Sequence, residues 1–176
     1  MAGDATRVRV GVNGSVYTAP AGTDTPDDVN EALHNDFEDL GYVSEDGVTQ
    51  TISSDSNVIK AWGGDTVRTI QTSHDYTLAL TLIETSAATA RVYYGDDEAT
   101  DAEIKVKGDQ GYRGAWVFDV FDGDVGMRIV VPDGQVSERG DVSYRTEEAI
   151  GYPITITCYP DGDGVKAYIY RDDDLS

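Results

Sequence analysis

The sequence contains little of what disulfide-bonded proteins and most enzymes depend on. Among its 176 residues it has one cysteine and two histidines. A single cysteine excludes an internal disulfide framework. Cys158 lies in the alternation Ile154, Ile156, Cys158, which predicts a small buried side chain; an exposed reactive thiol is the alternative.

Long hydrophobic runs are also missing. No apolar stretch approaches the roughly 20 residues that a membrane helix needs, and the N-terminus lacks a basic segment followed by an apolar run. We therefore expect neither an export signal nor a membrane partner.

Catalytic and cofactor-binding motifs are absent as well. Neither His34 nor His74 adjoins a nucleophile motif, and the glycines at 11 and 14 are not followed by the Gly-Lys-Ser/Thr of a phosphate loop. We expect no catalytic residue, no metal site and no cofactor, and therefore no enzyme.

Positive charge is scarce. The chain has 13 Lys and Arg against 33 Asp and Glu, for a net charge of −20 that both halves share evenly. Such a surface repels the DNA backbone, so sequence-specific DNA binding is excluded. Three interpretations of the acidity stay open: a conduit wall to which DNA must not adhere, simple solubility, or a salt-loving host.

What the sequence does contain is strand-like alternation, which predicts a mainly β fold in one domain, 1–176. Asp-Gly pairs at 122, 133 and 161 predict turns between strands. The predicted strands are 7–10, 15–18, 66–83, 103–107, 115–121, 127–131, 142–146, 152–159 and 165–170. Many short strands of this kind favour a β-sandwich or half-barrel.

Two short flanking α-helices are predicted. The first covers 27–40, where acidic residues crowd the first turn and Val29, Leu33 and Phe37 recur at helical spacing. The second covers 86–94, with Ser86 as N-cap and Gly95 as the stop.

The segment 41–72 is the most distinctive part of the chain. Glu45-Asp46-Gly47 predicts a turn. The polar run from Val48 to Asn57 predicts either an exposed strand or a flexible loop, within a projecting assembly loop over 45–62. The loop ends in Trp62, followed by Gly63-Gly64. Trp62 either docks onto another subunit or closes the base of its own loop.

The strand predicted over 66–83 has two contrasting faces. Ile70, Tyr76, Leu78, Leu80 and Leu82 share the apolar face. The other face is small, polar and without positive charge, and includes Thr69, Gln71, Ser73, Asp75 and Thr77. It faces either solvent or the lumen of a tube.

Several of these runs resemble one family. Gly-Tyr-Val-Ser-Glu-Asp-Gly-Val-Thr at 41–49 and Ala-Trp-Gly-Gly-Asp at 61–65 resemble the tail tube, or major tail, proteins of long non-contractile tailed phages, especially those infecting actinobacteria. Upstream, the residues from Gly14 to Pro26 look like the extended N-terminal arm of such proteins, here 1–26. The similarity covers about the first half of the chain, and the motifs follow one another in the same order as in the family.

The resemblance implies a structural virion protein. Six copies would form a ring, their sheets would join into a barrel, and rings would stack around a tape-measure protein between a tail terminator and distal tail proteins. The tube, assembled in the host cytoplasm, would conduct DNA without binding it specifically. The contacts between subunits would come from Ser15, Val16, Tyr17, Pro20, Asp46, Val48, Ile52 and Trp62, and Thr69, Gln71, Ser73, Asp75 and Thr77 would face the lumen.

A second hypothesis is a secreted or surface-displayed calcium-binding β-sandwich that serves in adhesion. Oxygen-rich loops at 122–124, 161–164 and 172–174 motivate it. None of them has the spacing of an EF-hand loop.

Overall fold

The computed structural model describes residues 3–108 and 110–172, and within them the chain is mainly β. The strands are β1 (Asn13–Pro20), β2 (Glu38–Asp39), β3 (Val43–Lys60), β4 (Thr66–Leu82), β5 (Arg113–Asp122), β6 (Val125–Arg139), β7 (Tyr152–Cys158) and β8 (Tyr168–Arg171). A 3-10 turn covers Ala5–Arg7, and one α-helix, α1, covers Ala87–Tyr94.

All these strands belong to one antiparallel sheet with the order β2-β1-β5-β6-β7-β4-β3, while β8 pairs with β6. The strands at the two ends of this order, β2 and β3, are separated in the chain by only residues 40–42. The sheet therefore has to curl round until its ends approach each other. The predicted mainly β fold with a short flanking helix is confirmed: it is one antiparallel sheet, not closed into a barrel, and consistent with a β-sandwich-like fold.

The core fills the concave side of the sheet. Tyr76, Leu78, Leu80 and Leu82 of β4 are buried there, as the alternation predicts. They belong to the same cluster as Trp116 on β5, whose indole Nε1 donates to the carbonyl oxygen of Gly134 at 3.0 Å. Each fully buried large side chain contributes roughly 1.5–3 kcal/mol relative to exposure. The remaining buried members include Val16, Leu40, Phe118, Ile129, Val131, Val136, Tyr152, Ile154, Ile156 and Cys158.

Helix α1 forms where the sequence predicts it. The Ser86 hydroxyl accepts a hydrogen bond from the Thr89 amide, and Gly95 ends the helix at φ +71°. Ala88 and Val92 turn toward the core and cover one end of the barrel.

The helix predicted over 27–40 is wrong. Side chains there satisfy the backbone instead: Asp28 Oδ1 accepts from the Asn30 amide at 2.8 Å, and Glu31 Oε2 accepts from the Asp27 amide at 2.7 Å. Such local hydrogen bonds compete with a helix. The carbonyl oxygens of Asp28 and Glu31 also accept from the Arg128 guanidinium, which fastens this segment to β6.

Other predicted elements are corrected too. The segments 7–10, 103–107 and 142–146 alternate in sequence but are not strands, because no neighbouring strand takes up their backbone hydrogen bonds. The last predicted strand shortens to β8. At 133–134 the chain does not turn: Gly134 continues β6 and pairs with both Gly114 and Cys158. A Cβ at Gly134 would lie 2.8 Å from Trp116, so close packing explains this glycine.

The buried ion pair between Arg128 and Asp119 gives the first prediction. The guanidinium contacts both carboxylate oxygens, at 2.6 and 3.0 Å, and both side chains are 8% exposed. Arg128→Met should lower the free energy of unfolding by about 3–5 kcal/mol, because it leaves a buried carboxylate unpaired. Urea denaturation measures this.

The matched control is Arg145→Met. Arg145 pairs with Glu148 at 3.6 Å on the surface, where both side chains are well exposed, so its loss should cost less than about 1 kcal/mol. Equal losses in the two variants would contradict a structural role for the buried pair.

Candidate assembly surface

The longest feature of the surface is the hairpin formed by β3 and β4. Only Thr77 to Leu82 of β4 pair with β7; nearer the tip, β4 pairs with β3 alone. Every residue from 49 to 72 is exposed. At about 3.3 Å per residue, the hairpin extends roughly 30 Å beyond the Thr51–Thr77 pair. The segment predicted as a projecting loop is therefore one strand of a projecting hairpin.

The predicted turn at Glu45-Asp46-Gly47 is a bulge within β3. The register passes from Val43 opposite Leu82 to Val48 opposite Leu80, so the extra residues leave the ladder without ending the strand. Gly47 has φ +66°, the positive value expected from the sequence.

Trp62 stands at the tip of the hairpin. A short loop joins the strands, in which the Ala61 amide donates to the Asp65 carbonyl oxygen at 2.8 Å and Gly64 has φ +93°. Trp62 is 104% exposed, so its indole packs against none of the residues that the structure describes. The interpretation in which it closes the base of its own loop is wrong.

Near the middle of the hairpin, a bulge in β4 changes which of its residues share a face. Ser73 lies opposite Asp55, but Gln71 lies opposite the next residue, Ser56, so β4 contains an extra residue there. Because neighbouring residues of β3 point to opposite faces, Gln71 moves to the other face from Ser73. Thr69 moves with it.

This exchange divides the predicted lumen-facing set between the two faces, and which face meets a lumen stays a prediction. Ser73, Asp75 and Thr77 share one face, whereas Thr69 and Gln71 lie on the opposite one. Period-two alternation could not reveal the difference, because a bulge leaves no clear mark in the sequence.

Ser73, Asp75 and Thr77 belong to a broad polar surface, here named the threonine face. It runs across β3, β4, β7 and β6 on the convex side of the sheet and comprises Thr49, Thr51, Ser53, Ser73, Asp75, Thr77, Thr81, Ser137, Thr155 and Thr157. The Thr157 hydroxyl donates to the Ser137 hydroxyl at 2.8 Å, and the Ser137 hydroxyl donates to the Thr155 carbonyl oxygen. These ten side chains are short and mostly hydroxyl-bearing, and Glu138 and Arg139 line a cleft beside Thr49, Thr81 and Thr155.

The outer edge of β3 is the feature that sequence reasoning missed. β3 stands last in the sheet order, so among the described residues one whole side of this 18-residue strand has no ladder partner. Unpaired N–H and C=O groups in a long edge strand invite pairing with another chain. The sequence left an exposed strand and a flexible loop as alternatives here, and neither identified an open edge.

Part of the predicted N-terminal arm is the strand β1. Asn13–Pro20 pairs with β5 along eight residues and with β2 on its other side, so it is an interior strand rather than an arm. Val16 is 1% exposed, which places its side chain in its own core and away from any other subunit. Ser15 and Tyr17 are half-buried, and Pro20 is exposed.

The remaining predicted contact residues lie along β3. Asp46 and Ile52 are exposed, and Val48 is half-buried against the core cluster. Their contacts with other copies stay a prediction.

The acidic loops offer no cation site in the part of the chain that the structure describes, where no group of three or more His, Cys, Asp or Glu side chains is placed to hold a metal. Asp161 accepts hydrogen bonds from the Tyr168 hydroxyl and from the amides of Val165 and Asp163, which hold the pKa of its carboxyl below the usual value. Its oxygens therefore serve the loop itself. Asp173 and Asp174, part of the calcium hypothesis, lie outside the described residues.

No helix among the described residues is long and apolar enough to cross a membrane.

A projecting hairpin, a long open edge and a hydroxyl-rich face define a protein built for assembly rather than for chemistry. The family model described as phage tail tube protein matches residues 1–175. The chain belongs to the phage tail tube protein family and is a structural component of the virion, not an enzyme.

One solved structure agrees with this fold, and two others are similar at lower scores. The sheath–tube complex of an extracellular contractile injection system in its extended state contains a similar chain, with a TM-score of 0.54, 9% identity, and coverage of 96% of this chain and 95% of that one. The sheath/tube terminator of such a system, also in its extended state, has a TM-score of 0.46 and 10% identity, with coverage of 90% of this chain and 93% of that one. The tube-terminating cap of the anti-feeding prophage has a TM-score of 0.48 and 8% identity, with coverage of 89% of this chain and 88% of that one. No curated protein matches.

Cys158 gives the second prediction. Burial raises the pKa of its thiol to about 12, so below that pH the folded protein holds almost no thiolate. At pH 8, iodoacetamide should label Cys158 very slowly in the folded protein and at an ordinary rate in urea. Mass spectrometry measures both rates.

A Tyr144→Cys variant supplies an exposed reference thiol, since Tyr144 is on the surface. Labelling of Cys158 as fast as that of the reference thiol would contradict its burial.

Proposed function

We propose that this chain polymerises into stacked rings of six copies that form the tube of a phage tail. The unpaired outer edge of β3, carried on a hairpin that projects far beyond its own core, is the observation that supports the proposal most strongly. Membership of the tail tube family supports it independently.

The rings close by sheet extension. β3 of one copy pairs with a strand of its neighbour, which satisfies the exposed N–H and C=O groups of the edge. Repeated around a ring, this pairing joins the half-barrels into one barrel around a lumen. The edge that would promote aggregation in a monomer becomes the contact that builds the tube.

The threonine face lines that lumen. Its side chains are short, hydroxyl-bearing and without positive charge, and Asp75 adds negative charge. Binding to the phosphate backbone requires Lys or Arg to displace counterions, and neither is among the ten side chains of the threonine face. DNA and ejected proteins therefore pass without adhering, by like-charge repulsion.

Stacking uses the hairpin. Asp46, Val48, Ile52 and Trp62 contact the next ring, and Ser15, Tyr17 and Pro20 add contacts near β1. The stack grows around a tape-measure protein in the host cytoplasm and ends at a tail terminator and at distal tail proteins.

Removing the outer half of the hairpin tests the proposal. Ser56 and Gln71 face each other, so residues 57–70 can be replaced by an Asn-Gly turn that joins the strands. The variant should fold, because the removed residues are all exposed, and it should form no tubes. Negative-stain electron microscopy beside the full-length protein measures assembly, and a thermal melt checks the fold.

Normal tubes from this shortened chain would contradict the role of the hairpin. Tubes absent from both proteins, over a range of concentration and salt, would contradict the proposed function itself.

The lumen assignment gives a further prediction. Asp75→Lys on the threonine face should permit tubes yet slow DNA ejection roughly tenfold, since rings of lysines would attract the phosphate backbone. Phage carrying the variant can be assayed for ejection rate in vitro.

Glu147→Lys makes the same charge change at an exposed residue away from this face and should leave the ejection rate unchanged. Ejection slowed equally by both variants, or by neither, would contradict the lumen assignment.

A further inference from the structure

Trp62 has no packing partner among the described residues of its own chain. It lies at the end of a mostly polar hairpin, in a loop whose glycines present the indole fully to solvent. Large aromatic side chains are enriched among the residues that anchor protein interfaces, because they bury much area at little entropic cost. A tryptophan this exposed indicates a receiving site on another surface.

A cleft of about 510 Å³ at the end of the sheet where β5 turns into β6 has the size of such a site. It lies between residues 7–11 and the turn that joins β5 to β6. Two hydrogen bonds hold its outer wall: the Val10 amide donates to Asp122 Oδ2, and the Val12 amide donates to the Phe121 carbonyl oxygen, both at 3.0 Å. This cleft is here named the N-terminal cleft.

The lining of the N-terminal cleft suits an indole. Val10, Val120, Val125 and Met127 supply apolar walls. A methionine sulfur near an aromatic ring makes a favourable contact. The cleft therefore offers both the area and the soft contacts that a buried tryptophan uses.

Its charge is unusual for this protein. Three of the chain's 13 basic side chains, Arg7, Arg9 and Arg171, line the cleft together with Asp122 and Asp172. Arginine stacks favourably on the face of tryptophan. At the hairpin tip, Asp65 lies three residues after Trp62 and offers a carboxylate to these arginines, and Lys60 lies two residues before Trp62.

We propose that the N-terminal cleft of one copy receives Trp62 of a second copy. This inference rests on the proposed assembly into a tube and names the surface that the hairpin contacts. The two surfaces lie on different parts of the molecule, so the contact is heterologous and repeats from copy to copy. It gives the N-terminal segment, which lies outside the main sheet, a role in growth of the tube.

Disulfide trapping between copies tests the contact directly. Gly63→Cys keeps Trp62 in place, and a Cβ at Gly63 meets no atom within 4 Å; Val125→Cys puts the second thiol in the cleft. The native Cys158 is buried and does not compete. Tubes of the double variant, oxidised and run on a denaturing non-reducing gel, should give a ladder of linked copies.

The matched control pairs Gly63→Cys with Tyr144→Cys, which is exposed on a different loop and should give no ladder. Tubes without a ladder from the cleft pair, or an equal ladder from both pairs, would overturn this inference while leaving the proposed function intact. Failure of the unmodified protein to form tubes would instead overturn the proposed function.

Assembly by variants at Trp62 gives a second readout. Trp62→Ala should raise the concentration needed for polymerisation at least roughly tenfold, and Trp62→Phe should raise it less, since a ring remains to fill the cleft. Equal effects of Phe and Ala would contradict a site shaped for an aromatic ring.

Discussion

The hydrogen-bonded ladder between β3 and β4 is the interaction on which the rest of this structure depends. In its inner part the ladder carries Leu78, Leu80 and Leu82 into the core and attaches β4 to β7. In its outer part the same ladder continues with no core beneath it and no third strand beside it. An isolated two-stranded hairpin is marginally stable in water, and stability needs a further strand or a packed face. The outer hairpin thus has a physical requirement that its own chain does not meet.

The proposed assembly would meet that requirement, because pairing of the β3 edge with another copy adds the third strand. The two sides of the sheet differ. The apolar side chains pack into the core, and in the proposed tube the threonine face lines the lumen. The buried Arg128–Asp119 pair contributes indirectly, because it fastens residues 28–31 over β5 and β6 and keeps that half of the sheet covered.

Sequence reasoning succeeds where a pattern follows directly from burial. The alternation from Tyr76 to Leu82 predicts both a strand and its inward face, and Ser86 with Gly95 predicts both ends of α1. It fails where hydrogen bonds or changes of strand register that leave no pattern in the sequence determine the local structure. Helical spacing over 27–40 is outweighed by local side-chain hydrogen bonds and by Arg128, and a single extra residue near Thr72 moves Thr69 and Gln71 to the other face. The β3 edge was concealed because polar residues in an exposed strand resemble those of a loop.

A helical cryo-EM reconstruction of tubes grown from the purified protein tests the central claim most directly. Our account predicts that the outer edge of β3 in every copy is hydrogen-bonded to a strand of the adjacent copy, in a closed barrel with Thr77 and Thr157 toward the lumen. Tubes in which the β3 edge stays in solvent, or in which Thr77 and Thr157 face outward, would contradict it.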